Sequence, residues 1–165
     1  MNKLRRALVA MSAVLLMGTR REGNSFMATA GTPVDPKALG PDGLPLIFTR
    51  IEQEDLNGVI ALMNAGADLE AQGFFRATPV LSAGLIDYWT MVQFLLEQGA
   101  NPAAIDDQGI NLPWLTSQAK VAKGSDTEKA LNKVRHVLND RAMLERVYPP
   151  AQALELARQG KWPPW

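Results

Sequence analysis

Two stretches of this chain are near-copies of each other at a fixed distance. Gly66-Ala67-Asp68-Leu69-Glu70-Ala71 returns as Gly99-Ala100-Asn101-Pro102-Ala103-Ala104, 33 residues later. A proline in a similar apolar setting comes round at Pro45, Pro79 and Pro113, at spacings of 34 and 34. A period of this size marks a repeat array. Each unit is one supersecondary element that cannot bury its apolar face alone and stacks on its neighbours.

The unit is clearest in the second copy. Thr78-Pro79-Val80-Leu81 reads as a helix start. Proline is tolerated in a first turn because the N–H it lacks would be unpaired there, and Thr78 is expected to cap the helix. Ala83 and Gly84 are small enough for two helices to approach closely. A second helix is predicted from about Trp89 to Gln98, with Met91, Val92, Leu95 and Leu96 on one face. Gly99 stops it as a left-handed C-cap.

The first copy follows the same plan. Leu44-Pro45-Leu46 opens a helix. Asp55 caps a second one, whose apolar face is Leu56, Val59, Ile60, Leu62 and Met63, and Gly66 ends it. Pro45 to Gly66 is one residue longer than Pro79 to Gly99, which predicts an inserted residue in the turn at Glu52–Asp55. The third copy is degenerate. Asp107-Gln108-Gly109 and Leu112-Pro113-Trp114-Leu115 keep the pattern, and Gly124-Ser125-Asp126 breaks it. A helix is predicted over Thr127–Arg141, capped by Ser125 or Asp126, with Ala130, Leu131, Val134, Val137 and Leu138 inward. A last helix is predicted from Pro150 to about Gln159, stopped by Gly160.

Along residues 42–140 these motifs resemble the ankyrin-repeat family, most closely in the second copy, where Thr78-Pro79-Val80-Leu81 stands in place of the family's T-P-L-H. The resemblance implies an all-α ankyrin-repeat solenoid of about three helix-pair repeats, at residues 42–71, 72–104 and 105–140. Residues 31–41 are then a lead-in or partial N-terminal cap, and residues 141–165 a C-terminal capping helix with a tryptophan-containing tail. Leu81 replaces the usual histidine, and Arg50 stands where the family has a small residue, so the packing there is expected to differ.

Residues 1–30 read as a secretory signal peptide. Lys3, Arg5 and Arg6 precede the apolar run Ala7–Gly18, and Ala28-Thr29-Ala30 offers a cleavage site. The apolar run is short for a membrane span. Leu15-Leu16-Met17-Gly18-Thr19 resembles a lipoprotein lipobox with Thr19 in place of the cysteine that lipidation requires. The expected location is the periplasm, with a membrane association only through the N-terminal signal or through an anchor if position 19 were cysteine.

The chain is formally neutral, but its charge is polarised. Residues 31–165 hold 12 basic and 16 acidic groups. Residues 42–107 carry ten acids against Arg50 and Arg76, a net −8, whereas residues 120–161 carry nine bases against five acids, a net +4. An acidic repeat face excludes nucleic acid as a partner and favours a protein with a basic or mixed surface.

No enzymatic activity, metal or cofactor is expected. The chain has no cysteine and one histidine, His136, placed mid-helix with no nucleophile motif beside it. The acid pairs Asp106/Asp107 and Glu52/Glu54 fall in predicted turns, where carboxylates are ordinarily solvated. The glycines mark repeat stops and form no phosphate loop.

The family resemblance places partner binding on the hairpin tips and on the face of the first helices. Here that surface is Phe74, Phe75, Arg76, Leu85, Ile86, Asp106 and Asp107. Trp89 is expected in the core, and the terminal Lys161-Trp162-Pro163-Pro164-Trp165 is expected to fold back over the last helix. Exported bacterial ankyrin proteins that the chain resembles include immunity proteins. These neutralise toxic effectors, type VI secretion lipases among them. The resemblance therefore implies one protein partner, a secreted effector. Its alternatives are support of a periplasmic enzyme such as a catalase, or a scaffold of the envelope.

Overall fold

The helix-start signals mark the start of successive helix pairs. The computed structural model describes residues 34–164, so the expected signal peptide, Thr19 and Trp165 lie outside the described residues. The described residues form seven α-helices and no strand: α1 Leu46–Glu52, α2 Leu56–Asn64, α3 Pro79–Leu85, α4 Trp89–Glu97, α5 Leu112–Gln118, α6 Asp126–Asn139 and α7 Pro150–Arg158. The fold is all-α. None of the described helices is long and apolar enough to cross a membrane.

The first helices form a row: α1 packs on α3, and α3 on α5. Behind them, α2 backs α1, α4 backs α3, α6 backs α5, and α4 packs on α6. Between these layers Ile51, Leu81, Trp89, Leu95, Leu112 and Leu131 are fully buried. Burying side chains of this size stabilises by about 1.5–3 kcal/mol each before the entropy cost. Trp89 joins this core as expected, and its indole N–H donates to Asp87 at 3.0 Å.

The helix starts at Leu46, Pro79 and Leu112 are 33 residues apart, whereas the prolines are 34 apart. Pro45 is therefore the N-cap of α1, Pro79 the first residue of α3, and Pro113 the second residue of α5. All three positions suit a fixed φ near −65° and need no backbone N–H. This corrects the expected insertion at Glu52–Asp55. The turns after α1 and α3 have equal length, and their positive-φ residues Glu54 and Asp87 are again 33 apart. The extra residue lies in where proline sits at the helix start.

The N-caps are likewise in register at Pro45, Thr78 and Asn111, but only Asn111 caps with its side chain, accepting from Trp114 N–H at 3.0 Å. The expected Thr78 cap is not formed. Its hydroxyl has no partner although the residue is only 8% exposed. Asp55 does cap α2, accepting from Gly58 N–H at 2.8 Å. Of the two candidates for α6, Ser125 is the cap, accepting from Glu128 N–H at 3.0 Å.

Gly66 and Gly99 end α2 and α4 with φ of 93° and 99°. Each is followed by an N–H that closes back five residues, from Ala67 to Leu62 and from Ala100 to Leu95. In the longer third pair Ala142, at φ 58°, takes this place, and Met143 closes back to Leu138.

The C-terminal segment folds back, but Trp162 meets the hairpin that follows α4 and not the last helix over which it was expected to lie. Asn111, fully buried, donates to both Gly109 O and Tyr148 O at 3.1 Å, tying the lead into α7 to the third hairpin. The Trp162 indole donates to Ala103 O at 2.9 Å and meets the Tyr148 ring edge-on at 6.2 Å.

Candidate functional site

Three hairpin tips precede the first helices, closed by matching bonds from Gly40 N–H to Leu44 O, Gly73 N–H to Ala77 O and Asp106 N–H to Ile110 O. The last two residues of the expected lead-in, Gly40 and Pro41, thus belong to a first tip built like the other two. A side chain at Gly73 would meet the Phe48 ring, 2.8 Å away, so the absence of a Cβ lets the second tip sit down on α1.

That contact builds a cleft of about 270 Å³ between the second tip and the row of first helices. Phe48 and Ile51 from α1, Phe74 and Phe75 from the tip, and Leu85 and Ile86 from the end of α3 form its apolar lining. Phe74, Phe75, Leu85 and Ile86 are 61%, 63%, 49% and 45% exposed. The structure brings these four predicted residues together, and the predicted Asp106 lines the same cleft. Phe48 and Ile51 were not among them. Phe48 precedes buried Leu81 by the 33-residue period, and that spacing was the available signal.

Asp106 and Asp107 take different places, although the sequence paired them. Asp106 is buried at 5% exposure, and one of its carboxylate oxygens accepts from Gln108 N–H at 2.9 Å and Ile110 N–H at 2.8 Å. This corrects its expected place as an exposed contact acid. Its carboxylate holds the third tip by accepting from two N–H groups of a tight turn that have no strand or helix partner. Asp107 is exposed, and its backbone N–H donates to Phe75 O at 2.9 Å, so the third tip braces the second. Its carboxylate lies 3.8 Å from Arg76, an exposed pair that contributes little to stability. Arg76 lines a different cleft from the four apolar residues.

The second tip breaks a rule that the other two keep. At its C-terminal end Gly43 and Gly109 have φ of 80° and 84°, whereas the corresponding Arg76 has φ 59° and is preceded by Phe75 at 53°. Side chains in this region cost about 1–2 kcal/mol each. Arg76 Nε–H donates to Gln72 at 3.1 Å, a further brace on the strained pair.

Around the apolar cleft the charge is acidic. Glu52 is on its rim, with exposed Glu54 and Asp87 in the neighbouring turns. The two arginines of this part of the chain each have an acidic partner, Arg50 in Asp55 at 3.2 Å and Arg76 in Asp107 at 3.8 Å. His136 is far from this surface in sequence and element, exposed on α6 and 3.4 Å from Asp140. Among the described residues no group of three or more acidic or histidine side chains is placed to hold a metal. An open, largely apolar cleft with an acidic rim offers binding surface. No protein-family model and no curated protein matches this chain.

Proposed function

We propose that this chain is an ankyrin-repeat protein-binding module of the periplasm, and that it acts as an immunity protein, neutralising one secreted toxic effector by covering it. The single observation carrying this reading is the exposure of Phe74, Phe75, Leu85 and Ile86 around one cleft. Large apolar groups gathered at one place, with two of them on a braced tip, are the pattern of a preorganised interface. The 33-residue register of helix starts, caps and tips supports the ankyrin assignment. The acidic rim selects a basic or mixed partner surface and speeds encounter with it.

The test is co-purification with the product of the neighbouring gene. Ile86→Arg, which puts a bulky cation into the cleft, should abolish capture while leaving the helical signal and melting transition in place. Capture at undiminished affinity by that variant removes the cleft from the interface. A lipase-like neighbour supports immunity, and a catalase supports the accessory role instead.

A further inference from the structure

A second cleft, of about 460 Å³, shares no lining residue with the apolar one. Gln72, Arg76, Thr78, Asn101, Ile105 and Trp162 are among the residues that line it. It joins the outer side of two hairpins to the folded-back C-terminal segment.

Its hydrogen-bonding groups are sorted in one direction. The Gln72 side-chain oxygen is taken by Arg76 Nε–H at 3.1 Å, and the Asn101 oxygen by Ala103 N–H at 2.9 Å. Both partners can only donate, so the orientation of each amide is set and its NH2 group remains as a donor. One Glu70 oxygen is taken by Asn101 N–H at 2.8 Å. Thr78 adds a hydroxyl with no partner, on a residue nine-tenths buried. The Gln72 and Asn101 side-chain oxygens are engaged within the protein, and so are the Arg76 Nε–H and the Trp162 indole N–H, which leaves the two amide NH2 groups and the Thr78 hydroxyl as donors.

Among the described residues, the one cation lining the cleft is Arg76. It occupies the left-handed position that is glycine in the other two tips. A chain that breaks a local rule in one repeat and keeps it in two gains something at the exception. The Asp107 carboxylate holds the Arg76 guanidinium loosely, at 3.8 Å, so another carboxylate can replace it without opening a tight pair. The planar guanidinium fork matches a carboxylate in two parallel bonds. The Trp162 indole, Ile105 and Pro163 supply an apolar wall next to it.

We propose that this outer cleft is a peptide-carboxylate site. The carboxylate, from a free C-terminus or an acidic side chain, lies on Arg76 with Thr78 and the Gln72 and Asn101 amides as further donors. The adjoining apolar residue lies against Trp162. This proposal does not depend on the inner apolar cleft.

The test uses the whole chain labelled with 15N and three probes. These are acetyl-glycyl-prolyl-leucine with a free carboxylate, its C-terminal amide, and acetyl-glycyl-aspartyl-leucine amide. The acid should shift the amide signals of Asn101, Ala103 and Thr78, and bind about tenfold more tightly than the amide. Binding of the aspartyl amide as well would assign the site to carboxylates in general; binding of the acid alone would assign it to chain ends. Arg76→Gly, which suits the local backbone, should erase the difference between acid and amide, and Thr78→Val should narrow it. Ile86→Arg should leave it unchanged, which separates this site from the proposed effector surface. Equal shifts from acid and amide, no shift with any probe at about 10 mM, or a preference that survives Arg76→Gly would each overturn the proposal.

Discussion

Arg50 lies across Gly58: a Cβ on Gly58 would come within 2.9 Å of Arg50 Cδ. One period later the same two places are held by Ala83 and Met91, both fully buried. The large and small partners are exchanged between the first helix and the second. That is how the array accommodates an arginine where a small residue was expected, with Asp55 pairing its guanidinium at 3.2 Å.

Gly58→Ala should therefore destabilise the protein by about 1–2 kcal/mol, although alanine is normally the better helix former. The new methyl also crowds the Asp55 carboxylate that caps α2. Urea unfolding measures this. Combining it with Arg50→Ala should recover part of the loss, a coupling that a double-mutant cycle reads directly.

Asn111 is the most connected cap. Asn111→Ala removes one bond to Trp114 and two to the carbonyls of Gly109 and Tyr148, in a fully buried place. A cost of about 2–3 kcal/mol is expected, above the roughly 1 kcal/mol for Ser125→Ala at the more exposed cap of α6. Hydrogen exchange should show α7 opening first in the Asn111 variant. Equal losses in both variants would mean that Asn111 does not hold the C-terminal segment.

At Arg76 the order of two substitutions tests the backbone strain. Arg76→Gly and Arg76→Ala remove the same side-chain contacts, but only glycine relaxes φ 59°. The glycine variant should be the more stable by about 1 kcal/mol, read from the urea midpoint. The reverse order would place no strain at this tip.

Asp126 and Lys129 supply the pH prediction. The hydrogen bond from Lys129, and then its charge, hold the Asp126 carboxyl below its ordinary range, and the same contacts raise Lys129. A depressed carboxylate contributes above the ordinary Asp range and loses that contribution as pH falls through its folded value. Both groups are fully exposed, so the effect is small and screened by salt. Lys129→Met should return the Asp126 titration, followed by carboxyl carbon shifts, to the usual carboxylate range. An unchanged titration would assign the depression to another group.

The sequence by itself determined the period, the helix pairs and their ends, because these are local. Asp55 reaches an N–H three residues on, and Gly66 and Gly99 reach a left-handed φ that other residues resist. The four apolar residues of the candidate surface were legible for the same reason, as residues at helix ends and a tip that the repeat leaves outside its core. Only the tertiary structure decided what depended on long-range contact. Asp106 and Asp107 are neighbours of the same chemistry, and the fold buried one as a tip acceptor and left the other exposed. Thr78 and Asn111 hold the same register position, yet only Asn111 caps its helix. Trp162 reached Ala103 from 59 residues away. Local rules follow from backbone geometry a few residues wide, whereas which polar group finds a partner depends on what the packed chain brings within about 3 Å of it.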